Sequence, residues 1–209
     1  MTKKEKAKIV QKILDEYFPN PKIPLKHTNL YTFLIAVLLS AQATDKKVNE
    51  ITPKIFEKAD TAKKMLKFSE KELEKILKPI GLAPKKSRAI LSLSEILIEK
   101  FESQVPSTFE ELESLPGVGH KTASVIMSQG FNKTAFPVDT HIHRCAKRWK
   151  LSNGKNVKKT EEDLKKIFPK SSWKKLHLQI IYFARKYCPA KKHIIKNCPI
   201  CSKISKDRG

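Results

Sequence analysis

The sequence predicts an all-α protein. Apolar residues recur at helical spacing along most of the chain, no alternating stretch is long enough to make a useful strand, and the first periodic stretch closes on a proline signal. Ile9, Val10, Ile13, Leu14, Tyr17 and Phe18 define that first helix, which stops at Pro19-Asn20-Pro21. Residues 31–41 are apolar nearly all round, as befits a helix buried at the centre of a domain. Leu73, Ile76 and Leu77 mark a short helix, and Ala89, Leu93, Ile96, Leu97 and Phe101 a longer one. Between them, Ile80-Gly81-Leu82 followed by Lys85-Lys86-Ser87 reads as a degenerate helix turn. Ser107 and Glu110 have the spacing of a capping box for a helix that leads into a glycine turn. Ile142, Cys145 and Trp149 form a stripe on a helix after Asp139. Asn153-Gly154-Lys155-Asn156 reads as a loop. Leu164, Ile167 and Phe168, then Trp173, Leu176, Ile180, Phe183 and Tyr187, define the last two helices. No convincing long repeat is present.

Lys and Arg total 43 against 21 acidic residues, a formal charge of +22 over 209 residues. That charge makes a phosphate polymer or an anionic membrane the natural counterpart. The longest apolar run, residues 33–39, falls far short of the roughly 20 residues that span a bilayer, so no membrane partner is expected. Met1-Thr2-Lys3-Lys4-Glu5-Lys6 leads into an amphipathic helix without the apolar stretch of a signal peptide. The expected location is cytoplasmic, with the nucleoid as the site in a prokaryote. The length allows one or two domains with a real core. Four cysteines then read as thiols or metal ligands, not disulfides. The Lys-rich stretches are solvated helix faces that together favour DNA association.

Chemistry concentrates in residues 115–141. Leu115-Pro116-Gly117-Val118-Gly119-His120-Lys121-Thr122 is a two-glycine turn entering a helix. Gly117 and Gly119 are both able to take positive φ, which would aim consecutive backbone N–H groups outward at a helix start, an anion site reinforced by the helix dipole. By itself such a hairpin is a sequence-independent DNA grip. Lys121 adds a second role, because the positive helix end, nearby cations and partial desolvation favour the neutral, nucleophilic amine. Pro137-Val138-Asp139-Thr140-His141 follows at a spacing that allows a carboxylate to face Lys121. Asp139 is also placed to cap the helix beginning at Thr140. The two roles are compatible, since a capping aspartate is held rigidly and stays ionised, as stabilising a cationic sugar requires.

Three motifs together carry a family resemblance. Leu38-Leu39-Ser40-Ala41-Gln42-Ala43-Thr44-Asp45, the hairpin from Leu115 to Ala123, and Val138-Asp139-Thr140-His141 with Arg144 resemble endonuclease III, the bifunctional DNA glycosylase/AP lyase of the helix-hairpin-helix superfamily. The likeness runs over almost the whole chain, in order. It implies two helical domains, a six-helix barrel over residues 22–132 and a second domain from residues 1–21 plus 133–209, with the damaged base entering an active-site cleft between them. It implies removal of oxidised pyrimidines from duplex DNA and strand cleavage 3′ to the resulting abasic site by β-elimination, in a monomer. By the same resemblance Lys121 is the Schiff-base nucleophile and Asp139 its carboxylate. Gln42 is the residue that fills the gap left by the extruded nucleotide. Leu115, Gly117, Val118, Gly119 and His120 are the hairpin's DNA contacts, and His141 and Arg144 further ones. His141 reads equally well as a structural histidine, and His120 as a phosphate neighbour and not a general base.

The C-terminus departs from the family pattern. Endonuclease III usually carries a 4Fe–4S loop with cysteines spaced C-x6-C-x2-C-x5-C. Here Cys188 is followed by Cys198 and Cys201, and position 207, where a fourth cysteine would fall, is Asp207. Cys145 sits on an apolar stripe and reads as core packing. Four thiolates are the normal requirement for the cluster, while Cys188, His193, Cys198 and Cys201 satisfy a Cys₃His zinc count. The alternatives are a degenerate loop without metal, zinc, or an iron–sulfur cluster with Asp207 or His193 as fourth ligand. Catalysis through Lys121 and Asp139 needs no cofactor. Two rival functions are separated by the same residues: a monofunctional glycosylase of this fold keeps the aspartate without needing the lysine, and a non-catalytic DNA-binding module needs neither.

Overall fold

A computed structural model describes residues 1–205, among which the chain is helical and contains no strand. The all-α expectation holds. No helix among these residues is long and apolar enough to cross a membrane. The chain divides into two compact units, Ile23–Lys133 and Met1–Lys22 with the described part of Thr134–Gly209.

Helix α1 (Lys3–Tyr17) starts on a capping box in which the Thr2 side chain accepts from the Glu5 N–H and Glu5 accepts in return from the Thr2 N–H at 2.7 Å. It belongs to the split unit. The central unit follows with α2 (Leu30–Leu39), α3 (Asp45–Phe56), α4 (Ala62–Met65), α5 (Glu70–Leu77), α6 (Ala83–Lys100), α7 (Phe109–Ser114) and α8 (His120–Val125). Helix α2 is its axis: Leu34, Ile35, Ala36 and Leu39 are wholly buried, against α3, α6, α8 and the π-helical turn Ile126–Gly130 that continues α8. Each such Leu or Ile stabilises the unit by roughly 1.5–3 kcal/mol.

Two local expectations are corrected, and one helix goes unforeseen. The apolar run does not stay helical to residue 41; α2 ends at Leu39, and Gln42 takes a left-handed φ of 57° in the following turn. Helix α3 was not signalled, because Pro53 and a polar first turn mask the stripe of Val48, Ile51 and Ile55 that it buries. The cap of α7 is Thr108, one residue later than Ser107. The Thr108 hydroxyl accepts from the Glu111 N–H at 3.2 Å, while Ser107 takes the Lys133 ammonium on its carbonyl and hydroxyl.

The split unit packs α1 with α9 (Thr140–Arg148), α10 (Val157–Ile167), α11 (Trp173–Lys186) and α12 (Pro199–Ser205). Trp149, Phe183, Leu14 and Phe136 are its fully buried centre. Trp149 meets Phe183 edge-on at 5.7 Å, and Phe136 stacks on Trp173 at 5.9 Å. Burial of Phe136 and Val138 fixes the strand-like segment that delivers Asp139 to the start of α9.

Candidate active site and Cys–His centre

The turn joining α7 to α8 is built from the inside. Leu115 and Val118 are buried, and the Val118 N–H donates to the Leu115 carbonyl at 3.0 Å, so these two residues offer only backbone outward. Gly117 has a φ of +79°, and a Cβ there would meet Ala89 Cβ and Leu38 Cδ1 at 3.0 Å. Gly119 differs. Its φ is −94° with extended ψ, not the positive φ the two-glycine pattern suggested, and a Cβ would touch nothing within 4 Å. Gly119 is the N-cap of α8, which no side chain caps. His120 lies against α7, its ring 5.5 Å from Phe109 and its Nδ1 2.7 Å from Glu113 Oε1. Lys121 sits exposed in the first turn of α8, so the free protein does not supply the desolvation expected for it.

Beside this turn lies a cleft of about 670 Å³, lined among others by Leu38, Gln42, Leu82, Lys86, Arg88 and Gly117. It gathers three backbone features: the Gln42 turn, the hairpin, and the entry to α6. At that entry Leu82 stands 48% exposed in the left-handed region, with φ 54°. Left-handed non-glycine residues carry strain of order 1–3 kcal/mol and cluster at functional sites. Two of them, Gln42 and Leu82, border one cleft. Lys86 ties them together from beneath: it is 4% exposed, and its Nζ donates to the Leu39 carbonyl at 3.0 Å and the Ile80 carbonyl at 3.4 Å. Burial pushes its pKa below the usual lysine value. Leu82 and Lys86 are visible in the sequence only as parts of a degenerate helix turn; the signal for more is Gly81 ahead of a helix that opens Ala83-Pro84.

Asp139 is half-buried and caps α9, its Oδ1 accepting from the Ile142 N–H at 2.8 Å. His141 and Arg144 lie in the first turns of that helix. Arg144 NH2 is 3.2 Å from His141 Nδ1, and its guanidinium donates to the carbonyls of Cys188 and Ala184 near the end of α11. Arg144 therefore ties α9 to the cysteine loop. Arg148, one turn on, donates to the carbonyls of Pro189 at 2.6 Å and Ala190 at 3.2 Å, and to Cys188 Sγ at 3.4 Å.

The loop so anchored brings together four donors from residues 188 to 201. The ligand atoms of Cys188, His193, Cys198 and Cys201 all lie within 4.8 Å of one another, a grouping able to hold a metal ion. The three thiols are buried, and so is the remaining cysteine, Cys145 of α9. Asp207, the other fourth-ligand candidate, lies outside the described residues.

The fold and the glycine hairpin define a class. Residues 35–170 match the family model described as "HhH-GPD superfamily base excision DNA repair protein". Endonuclease III of Treponema pallidum is 44% identical over 180 residues, covering 86% of this chain and 85% of that protein. Among solved structures, a non-covalent endonuclease III–DNA complex superposes with a TM-score of 0.93 at 37% identity, covering 99% of this chain and 98% of that one. A trapped endonuclease III–DNA covalent intermediate does so with a TM-score of 0.91 at 38% identity, covering 96% and 94%. The chain belongs to the endonuclease III family of the HhH-GPD superfamily.

Proposed function

We propose that this protein is a base-excision-repair DNA glycosylase with AP lyase activity, which removes oxidised pyrimidines from duplex DNA and cuts the strand 3′ to the abasic site through a lysine Schiff base. The observation that carries the reading is Lys121: an exposed amine in the first turn of α8, directly after an uncapped glycine start, in a chain that aligns over 96% of its length with a covalent endonuclease III–DNA intermediate. The backbone of Gly117 to Gly119 grips a phosphate by charge and dipole. Gln42, with Leu82 across the same cleft, fills the space that an extruded nucleotide leaves. Extrusion costs roughly a few kcal/mol, and least for a damaged, poorly stacked base.

The neutral Lys121 amine forms a bond to C1′ as the glycosidic C1′–N bond breaks, and its electron pair leaves with the base, which takes up a proton. Asp139 stabilises the positive charge developing on the sugar, or helps to remove the proton that the lysine nitrogen sheds. Ring opening breaks C1′–O4′ and leaves a protonated imine. That imine acidifies C2′–H, and loss of this proton expels the 3′ phosphate and severs the strand. Residues 22–132 act as the DNA-gripping domain, and residues 1–21 with 133–209 supply Asp139 and the cysteine loop. The protein works as a monomer, in the cytoplasm where a bacterial chromosome lies. The Cys–His cluster is a structural metal site in this reading, and no step of the reaction is assigned to it.

Borohydride trapping tests the proposal. The native protein should form a stable adduct with a duplex carrying thymine glycol or an abasic site, and Lys121→Gln should abolish the adduct while binding DNA within a few-fold of the native affinity. Base release with no adduct would make this a monofunctional glycosylase. An adduct at full yield in Lys121→Gln would assign the nucleophile to another amine.

A further inference from the structure

The 4Fe–4S cluster that the family resemblance implies does not fit the donors this chain assembles. Such a cluster takes four thiolates, and the described residues bring only three of them, with an imidazole, into one grouping. The spacing disagrees as well. A single zinc with Zn–S near 2.3 Å and Zn–N near 2.0 Å holds its tetrahedral ligands roughly 3.5–4 Å from one another, close to the span of at most 4.8 Å found for the four donor atoms. A cube of four irons interposes metal–metal distances and pushes its thiolates further apart than that span.

Three further observations point to a metal in this place. His193 Nε2 is buried and has no hydrogen-bond partner among the described residues, an uncompensated cost that a metal–nitrogen bond would remove. Cys198 and Cys201 have the Cys-x2-Cys spacing of zinc sites, and the Cys201 N–H already points at Cys198 Sγ at 3.5 Å, the orientation that a deprotonated sulfur would strengthen. Arg148 donates to Cys188 Sγ from the other side. With three thiolates and a neutral imidazole around a divalent ion, the centre carries one net negative charge, and this guanidinium offsets it.

We propose that Cys188, His193, Cys198 and Cys201 bind one zinc ion, a redox-silent clamp in the place of the family's iron–sulfur cluster. Binding converts three thiols to thiolates, joins the ion to three sulfurs and the His193 Nε2, and releases three protons. The inference rests on reading the cluster as a structural metal site and is independent of the reaction assigned to Lys121.

The test is metal analysis of the full chain, produced with both iron and zinc supplied and purified anaerobically. The expected result is one zinc per chain, no iron, and no visible absorption of an iron–sulfur cluster. Replacing zinc by cobalt should give the spectrum of a tetrahedral thiolate site. His193→Ala should weaken cobalt binding at least tenfold and change that spectrum, His193→Cys should restore tight binding with four sulfurs, and Cys145→Ser should alter neither. His193→Cys also covers the case in which His193→Ala does not fold. Four irons per chain, a folded chain with no metal and titratable thiols, or unchanged cobalt binding in His193→Ala would each overturn the proposal. A zinc-bearing chain that forms no borohydride adduct would instead defeat the glycosylase/lyase reading and leave the zinc site standing.

Discussion

Two turns of the central unit share a sequence pattern and differ in what they do with it. Each places a glycine with positive φ ahead of a helix that carries a lysine soon after its start: Gly81 (φ 71°) before α6 with Lys85 and Lys86, and Gly117 (φ 79°) before α8 with Lys121. In the first, Gly81 is open to solvent, Leu82 is pushed outward, and Lys86 is buried as a strut between the Leu39 and Ile80 carbonyls. In the second, Gly117 is wedged against Leu38 and Ala89, and Lys121 is left exposed. Burial decides the role of the lysine. An ammonium that satisfies two buried carbonyls is committed to holding backbone, whereas one in solvent remains available to a substrate.

The largest effect expected from this contrast falls on the carboxylate that the exposed lysine alone is proposed to use. Asp139→Asn keeps an oxygen to cap α9 and removes the charge. It should fold and bind DNA while losing on the order of 10²–10³ in single-turnover base release, as loss of one stabilising group does elsewhere. Near-normal turnover in a mutant with intact binding would reduce Asp139 to its capping hydrogen bond with Ile142.

The two glycines come next. Gly81→Ala strains a φ that non-glycine residues avoid and should lose roughly 1–3 kcal/mol. Gly117→Ala adds to that strain a Cβ only 3.0 Å from Ala89 and Leu38, and should lose about 1 kcal/mol or more beyond Gly81→Ala. Denaturant midpoints for the pair would reveal this order; equal losses would show that the Leu38 side chain gives way and that the hairpin is no more tightly packed than its counterpart.

The smallest effect separates the strut from the residue it supports. Lys86→Met loses two hydrogen bonds to carbonyls but also removes the cost of burying a charge, so net stability should change by about 1 kcal/mol or less. If the strut positions the cleft, Lys86→Met and Gln42→Ala should each weaken binding to a lesion duplex about fivefold, roughly 1 kcal/mol, and leave undamaged DNA nearly unaffected. Binding titrations on the two duplexes decide it. A Lys86→Met protein with native lesion affinity would leave Lys86 a purely internal tie.

Some of this was legible in the residues alone. The helices α1, α6, α9 and α11 announce themselves because a buried stripe at 3.6-residue spacing needs no tertiary information, and α2 because it is apolar on every face. The hairpin announces itself because only glycine takes the turn at 117 without strain. Asp139 was readable as the cap of α9 because capping is a three-residue interaction, completed by Ile142. Where the interaction is not local, the residues were silent. Lys86 and Lys121 look alike in sequence, and their fates depend on which carbonyls arrive from α2 and the turn before α6. Gly119 was expected to share the positive φ of Gly117 and instead is extended, a choice made by how α8 begins. The cysteine loop is the clearest case. Spacing left a bare loop, zinc and an iron–sulfur cluster all open, because ligands five and ten residues apart define no geometry until the chain folds back. Arg144 and Arg148 reach from α9 to the carbonyls of Cys188, Pro189 and Ala190 and anchor the start of the loop that gathers His193 with the three thiols. Local periodicity and capping were thus determined by the sequence itself, while the grouping of donors and the burial of charge were decided by contacts between residues far apart in the chain, whose energies depend on neighbours that only the folded chain supplies.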